Sequence, residues 1–247
     1  MESPHNKKMK GVILAGGMGT RLRPLTYITN KHLLPVYDKP MVLYPLDTLK
    51  RSGITDIVVI SGKEHAGDFM NFLGSGKDYG VNLSYAIQDK NNGGIADALA
   101  CARQYCDQSD VAVILGDNIF VEDFAKAVAG FAGGASIFLK KVDDPARYGV
   151  PVFNSRGDIL RVEEKPKRPK SNYAQAGMYL LDSTAFERAE LLKPSARGEL
   201  EMTDLINMYV KEGRISHHIL KREWYDAGTV DSLLEAANCM KRKHSHV

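Results

Sequence analysis

The stretch GVILAGGMGTRLRPLT, residues 11–26, carries an apolar, strand-like run directly into Gly16, Gly17 and Gly19, followed by Thr20 and Arg21. Glycine permits backbone conformations and close approaches that side chains forbid, so the N–H groups of such a loop can converge on phosphate oxygens. A Rossmann loop does not fit, because GxGxxG is not matched and no acidic residue closes a second strand at the required place. A P-loop does not fit either, because no Gly-Lys-Ser/Thr follows. A plain tight turn stays open for the glycines taken alone.

Outward from this loop, short β-branched runs alternate with amphipathic stretches. MVLYPLDTLKRSG (41–53), AGDFMNFLG (66–74) and GIADALACARQYC (94–106) read as helices between the strands DIVVIS (56–61), LSYAIQ (83–88) and VAVILGD (111–117). Strands apolar on both faces and joined by helices predict an α/β fold: a doubly wound, mainly parallel sheet covered by helices on both faces. Ligands then belong at the carboxyl ends of the strands. Beyond about residue 134 the rhythm loosens into ASIFLKKV, YGVPVF, DILRVEEK and AQAGMYLLD, with helices TAFERAELL and EMTDLINMYVKEG, so the second half should add mixed strands. No linker, repeat or low-complexity segment separates the halves. One domain over 1–247 is expected, with a first half of about 10–134, a second of about 135–238 and a frayed, basic tail over 239–247.

Composition narrows the function. The 247 residues are 44% hydrophobic and 26% charged, inside the globular range. No run approaches the roughly 20 apolar residues of a membrane span, and the basic N-terminal segment lacks an apolar export core, so a cytoplasmic protein is expected. A net charge of +3, without a basic stripe, points to a small anionic substrate and away from nucleic acid or membrane. Cys101, Cys106 and Cys239 show neither zinc spacing nor an even count, so they read as buried free thiols. No histidine has metal-ligand or triad spacing.

The continuation KHLLPVYDKPMVLYPL places Lys31 ten residues after Arg21, with Pro35 and Pro40 restricting the chain that follows. From Gly11 to Leu46 the sequence resembles the sugar nucleotidylyltransferases, and LLPVYDKPM is most similar to their thymidylyltransferase branch. The resemblance extends from about Lys10 to Asn238. It implies that Gly16, Gly17, Gly19 and Thr20 wrap the nucleotide while Arg21 and Lys31 neutralise its phosphates. In IQDKNNGGIADAL, Gln88 resembles a base-reading glutamine, whose carboxamide offers a donor and an acceptor together, and Gly94 falls at the nucleotide.

Further motifs follow in the family's order. VAVILGDN delivers Asp117 and Asn118 at the end of a strand, and WYDAGT supplies Asp226. The resemblance makes Asp117 and Asp226 the ligands of Mg2+, a hard ion that prefers one or two carboxylates plus substrate phosphates. It assigns Glu164 and Lys165 of LRVEEKP, Arg197 of PSARGELEMTDL, Asn118, Gly149 and Gly177 to the sugar phosphate. Adjacent strand residues face opposite ways, so Glu164 and Lys165 can share a pocket only where the strand ends, as Pro166 permits.

The activity implied is dTTP plus glucose 1-phosphate giving dTDP-glucose and pyrophosphate. UTP- or GTP-dependent transfer, a catalytically silent sugar-nucleotide-binding subunit and a nicotinamide-dependent reductase stay open as rivals. A homo-oligomer is compatible with the sequence. Longer members of the family carry an extra C-terminal helical segment that helps form a regulatory site, which this chain is expected to lack.

Overall fold

A computed structural model of the protein describes residues 8–244 except 91, 92 and 107. The middle of the polar turn after Gln88 and the last residues of the expected frayed tail lie outside the described residues. The strands are β1 (Lys10–Ala15), β2 (Pro35–Val36), β3 (Lys39–Pro40), β4 (Asp56–Gly62), β5 (Asn82–Gln88), β6 (Val111–Leu115), β7 (Asn118–Phe120), β8 (Ala135–Lys141), β9 (Gly149–Phe153), β10 (Ile159–Glu164), β11 (Tyr173–Leu181), β12 (Ile215–Ile219) and β13 (Trp224–Asp226). The helices are α1 (Leu43–Arg51), α2 (Ala66–Leu73), α3 (Ile95–Ala100), α4 (Arg103–Cys106), α5 (Ala125–Ala129), α6 (Ala185–Glu190), α7 (Met202–Lys211) and α8 (Val230–His244).

Seven strands form one sheet in the order β12-β8-β11-β6-β1-β4-β5. Every neighbouring pair is parallel except those made by β11, which runs antiparallel between β6 and β8. The sheet is therefore mainly parallel with one reversed strand from the second half, as the sequence pattern predicts. Its period-two alternation sends Val12 and Leu14 to one face and Ile13 and Ala15 to the other. Leu99 of α3, Phe186 of α6 and Leu205, Ile206 and Tyr209 of α7 cover the first face. Leu46 and Leu49 of α1 and Phe69 and Leu73 of α2 cover the second. Each such Leu or Phe, fully withdrawn from water, contributes about 1.5–3 kcal/mol. Stability thus resides in the sheet and its helices, and the loops at the strand ends are free to carry polar groups.

Local chemistry sets the helix limits. Pro45 is accommodated because it lies in the first turn of α1, where no intrahelical donor is needed, and the chain leaves α1 through Gly53 at φ +83°. The single helix read over 94–106 is broken in the structure. Ala102 N–H donates to the Leu99 carbonyl at 2.9 Å, a bond to the third residue back that tightens the turn and separates α3 from α4. The C-terminal stretch DSLLEAANCMKRKHSHV, which reads as a helix with a frayed end, forms α8 through His244, and Cys239 and Met240 are buried against Val36, Tyr44 and Ala227.

One contact between the two halves bears on the site. Gly94 precedes α3 at φ +87°, ψ 176°, a conformation essentially reserved for glycine. The Leu200 N–H donates to the Gly93 carbonyl at 2.9 Å, and the Ala96 N–H to the Leu200 carbonyl at 3.1 Å. A Cβ on Gly94 would stand 2.5 Å from that Leu200 carbonyl oxygen. Gly94→Ala is expected to lose about 1–3 kcal/mol from backbone strain alone, read as a lower urea midpoint at unchanged slope. A midpoint equal to that of the parent chain would show that this contact does not join the halves.

Candidate active site

The carboxyl ends of β1, β5 and β6 lie at one edge of the sheet and deliver Gly16, Gln88 and Asp117 respectively. The glycine loop turns at Gly17, φ +97°, and Gly19, φ +60°, then presents Thr20 and Arg21 on one exposed 3-10 turn. A Cβ on Gly19 would stand 2.8 Å from the Thr26 methyl and 3.1 Å from Lys31 Cβ, so glycine here lets the loop lie directly on the lysine. The Lys31 turn is capped by Asn30, whose Oδ1 accepts the His32 N–H at 2.9 Å. His32 is wholly buried. Burial, with the charge of Lys31 beside it, pushes its imidazole down to about 3, so it is neutral at pH 7.

Lys31 Nζ lies 2.6 Å from Asp117 Oδ2. Asp117 is 7% exposed. Burial alone would raise its carboxyl, but the Lys31 ammonium reverses the balance and holds it well below the usual carboxylate range. Asp226 has the opposite fate. The Asn118 and Asp226 positions are paired across the antiparallel β7/β13 ladder, and the Ala227 N–H donates to the Asp117 carbonyl at 2.9 Å. The two aspartates are therefore fixed side by side. Burial and the Asp117 charge push the Asp226 carboxyl up to about 6, against the pull of Lys31, Arg21 and Arg147. A buried carboxylate beside a half-buried one, the second of them raised, is the electrostatics of a pocket short of positive charge. Arg21 reaches the same point: a Cβ on Gly228 would stand 2.8 Å from Arg21 Nη2 and 3.0 Å from Asp226 Oδ1.

Asn118 is 2% exposed, and its polar atoms are engaged by the protein. Its Nδ2 donates to Asp117 Oδ1 at 3.0 Å, while its Oδ1 accepts the Gly177 N–H at 3.0 Å and Trp224 Nε1–H at 2.6 Å. Gly177 lies where the β11 register shifts, between Gln175 and Tyr179. A Cβ there would stand 2.6 Å from Asn118 Oδ1, so the glycine is what allows this approach.

Glu164, Lys165, Gly149 and Arg197 form a second group. Glu164 and Gly149 are opposite one another in the β9/β10 ladder. Lys165 follows the strand end at φ +42°, its N–H donating to the Tyr148 carbonyl at 3.0 Å. The alternation of the strand is thereby broken, and Lys165 Nζ comes within 3.9 Å of Glu164 Oε1. Arg197 Nη1 donates to the same oxygen at 3.3 Å and Thr203 Oγ1 to Glu164 Oε2 at 3.2 Å. Burial, then the Glu201 charge, raises the Glu164 carboxyl above its ordinary value despite these partners. One turn along α7 from Thr203, Asn207 bonds both the N–H and the carbonyl of Val162 at 2.8 Å, which seats the hairpin on the helix. Tyr148 links the two groups, its ring 5.3 Å from that of Trp224 and its hydroxyl raised by burial and by Asp226.

Gln88 is 7% exposed. Its Nε2 donates to the Gly94 carbonyl at 3.1 Å and to Asp97 Oδ2 at 2.9 Å. A Cβ on Gly16 would stand 2.9 Å from Gln88 Oε1. Among the described residues no cluster of three or more His, Cys, Asp or Glu side chains offers a metal site, so a metal here would take the aspartate pair with substrate oxygens. Sequence reasoning did not single out Asn30, His32, Asp97, Arg147, Tyr148, Thr203, Trp224 or Gly228. Only Trp224 and Gly228 left a signal, as the flanks of the WYDAGT motif. Among the described residues, buried Gln175 Oε1, beside Gly149, has no hydrogen-bond partner.

The profile of the nucleotidyl transferase family matches residues 10–243. A glucose-1-phosphate thymidylyltransferase of Neisseria meningitidis is 47% identical over 236 residues, 93% of this chain and 82% of the relative. One of Mycolicibacterium smegmatis is 46% identical over 238 residues, 94% of this chain and 82% of its own length. A crystal structure of a Bacillus anthracis protein given the same name, in complex with a sucrose, superposes with a TM-score of 0.89 at 50% identity, covering 94% of each chain. A UDP-glucose pyrophosphorylase complexed with UDP-glucose superposes at 0.83 with 25% identity, over 96% of this chain and 100% of that one. Over nearly its whole length, then, the chain belongs to the nucleotidyl transferase family.

Proposed function

We propose that the protein transfers a thymidylyl group from dTTP to glucose 1-phosphate, releasing pyrophosphate and forming dTDP-glucose. The observation that carries this reading is the pair Asp117 and Asp226 at the strand ends, with Lys31 Nζ 2.6 Å from Asp117 Oδ2 and Arg21 beside Asp226. The named relatives supply the substrate pair. All three cysteines are free and among the described residues no helix is long and apolar enough to cross a membrane, which supports a place in a reducing cytoplasm.

The attacking group needs no general base, because a phosphate monoester has a second pKa near about 6 and carries a nucleophilic oxygen at neutral pH. The work left to the protein is alignment and charge. Gly16, Gly17, Gly19 and Thr20 hold the triphosphate, and Gln88 reads the base beside Gly94. Arg21 and Lys31 neutralise the leaving pyrophosphate, Lys31 exchanging the Asp117 carboxylate for a phosphate oxygen. Lys165 and Arg197 hold the sugar phosphate, Glu164 a sugar hydroxyl, and the backbone at Gly149 and Gly177 borders the ring. Asn118 positions Asp117 through one Nδ2 hydrogen and offers the other to the sugar phosphate. Asp117 and Asp226 fit Mg2+: they are two hard anionic ligands, crowded enough to raise one of them, with further sites left to phosphate oxygens. The ion supplies charge stabilisation at the reacting phosphates.

A panel of dTTP, UTP, GTP and CTP against glucose 1-phosphate tests the activity. The highest kcat/KM is expected with dTTP. UTP is the serious competitor, since Gln88 meets the same edge of uracil and a UDP-glucose pyrophosphorylase shares the fold; preference for UTP would replace the proposed nucleotide, and no turnover with any would leave a silent binding subunit.

The metal assignment has its own test. Asp117→Asn and Asp226→Asn are each expected to lower kcat by about 100-fold or more, the scale of losing one charge-stabilising group, with an unchanged circular dichroism spectrum. Either variant with normal turnover at ordinary Mg2+ would remove that residue from the metal site.

A further inference from the structure

The base-reading role given to Gln88 leaves open which end of its carboxamide meets the base, and Asp97 decides it. Asp97 lies in the first turn of α3 with its side chain 15% exposed. An ionised carboxylate only accepts hydrogen bonds. The end of Gln88 that faces Asp97 Oδ2 at 2.9 Å must therefore be the NH2 group, and its second hydrogen goes to the Gly94 carbonyl at 3.1 Å. With both hydrogens committed, Gln88 has only Oε1 to offer. That oxygen lies over Gly16, at the start of the glycine loop, and Gln88 and Gly17 line one cavity of about 120 Å³ together with Arg23, Lys63 and His65. Room for the carboxylate is made at Gly93, where a Cβ would stand 2.1 Å from Asp97 Oδ2. Lys90 Nζ lies 3.5 Å from the other carboxylate oxygen, Asp97 Oδ1.

We propose that Asp97 is a positioning residue for nucleotide specificity: by holding the NH2 group of Gln88 it presents Oε1 alone to the base. The pocket then takes a pyrimidine whose ring nitrogen at position 3 carries a hydrogen, as in thymine and uracil. It disfavours cytosine, whose ring nitrogen there is itself an acceptor and meets Oε1 lone pair to lone pair. Without Asp97 only the Gly94 carbonyl holds the NH2 group, so the carboxamide turns over more readily to donate to that nitrogen. This inference rests on the nucleotide reading of the same site given above.

Equilibrium dissociation constants of the full chain for dTTP and dCTP, measured by titration calorimetry, test it without relying on turnover. The parent chain is expected to favour dTTP. Asp97→Leu, of similar size but with no acceptor, is expected to narrow the dTTP to dCTP ratio by about tenfold or more, the scale of one hydrogen bond made or opposed. Asp97→Asn, whose own oxygen can still accept, should keep most of the preference. A ratio in Asp97→Leu equal to that of the parent, whether or not both affinities fall together, would reduce Asp97 to a packing role and overturn the proposal; if the leucine variant does not fold, Asp97→Ala carries the same comparison. Absence of dTTP turnover by the parent chain would overturn the activity proposed above and leave this binding comparison intact.

Discussion

Two carboxylates cannot be buried side by side without cations to answer them, and the arrangement around Asp117 and Asp226 follows from that constraint. Moving one ionised group out of water is unfavourable by several kcal/mol even after relaxation, and a second like charge beside it adds to this. Lys31 answers the first aspartate directly. Arg21 and Arg147 answer the second only partly, so its carboxyl is raised to about 6. A folded-state value above the ordinary one means that ionised Asp226 lowers stability at neutral pH, a penalty that eases as pH falls through about 6 and that a bound cation would relieve. The unmet negative charge is what suits the pair to a divalent cation, through which the oxygens of a polyphosphate would be held.

The scaffold converts this electrostatic demand into fixed geometry. The β7/β13 ladder sets the spacing of the aspartates, and Asn118 ties Asp117 to Gly177 on the reversed strand β11 and to Trp224 on β13. From Trp224 the contacts continue through Tyr148 to Lys165. The cations assigned to nucleotide and sugar phosphate are thus placed relative to one another by a few buried polar contacts on rigid strands, which is what alignment of two phosphates requires.

Much of this could be read from the sequence because strands, glycine turns and strand-end carboxylates are local features. The run GVILA is apolar and buried throughout, as a strand covered on both faces must be, and Asp117 and Gln88 fall at the ends of strands, so their placement at the sheet edge followed from pattern alone. Lys165 was legible through one rule, that Pro166 should end the strand, and its positive φ is how the backbone does so. Other features depend on partners far away in the chain. Nothing near Asn118 foretells that its side-chain oxygen is spent on Gly177 and Trp224, 59 and 106 residues away. Nothing near Asp97 distinguishes it from an ordinary first-turn acid, because its partner Gln88 precedes the helix. The break at Ala102, the burial of Met240 and the partial exposure of Cys101, which reads from the sequence as buried like Cys106 and Cys239, are likewise decided by packing, which a helical periodicity does not encode.

The central claim, that Asp117 and half-buried Asp226 share one site short of cations, is tested most directly by following the aspartate carboxyl carbons by NMR during a pH titration of the metal-free protein. One aspartate, lost from the spectrum in Asp226→Asn, should titrate near 6 and return toward the ordinary carboxylate range in Asp117→Asn, where the neighbouring charge is gone. An Asp226 signal that titrates in the ordinary range in the parent chain, or that does not move when Asp117 is neutralised, would contradict the account.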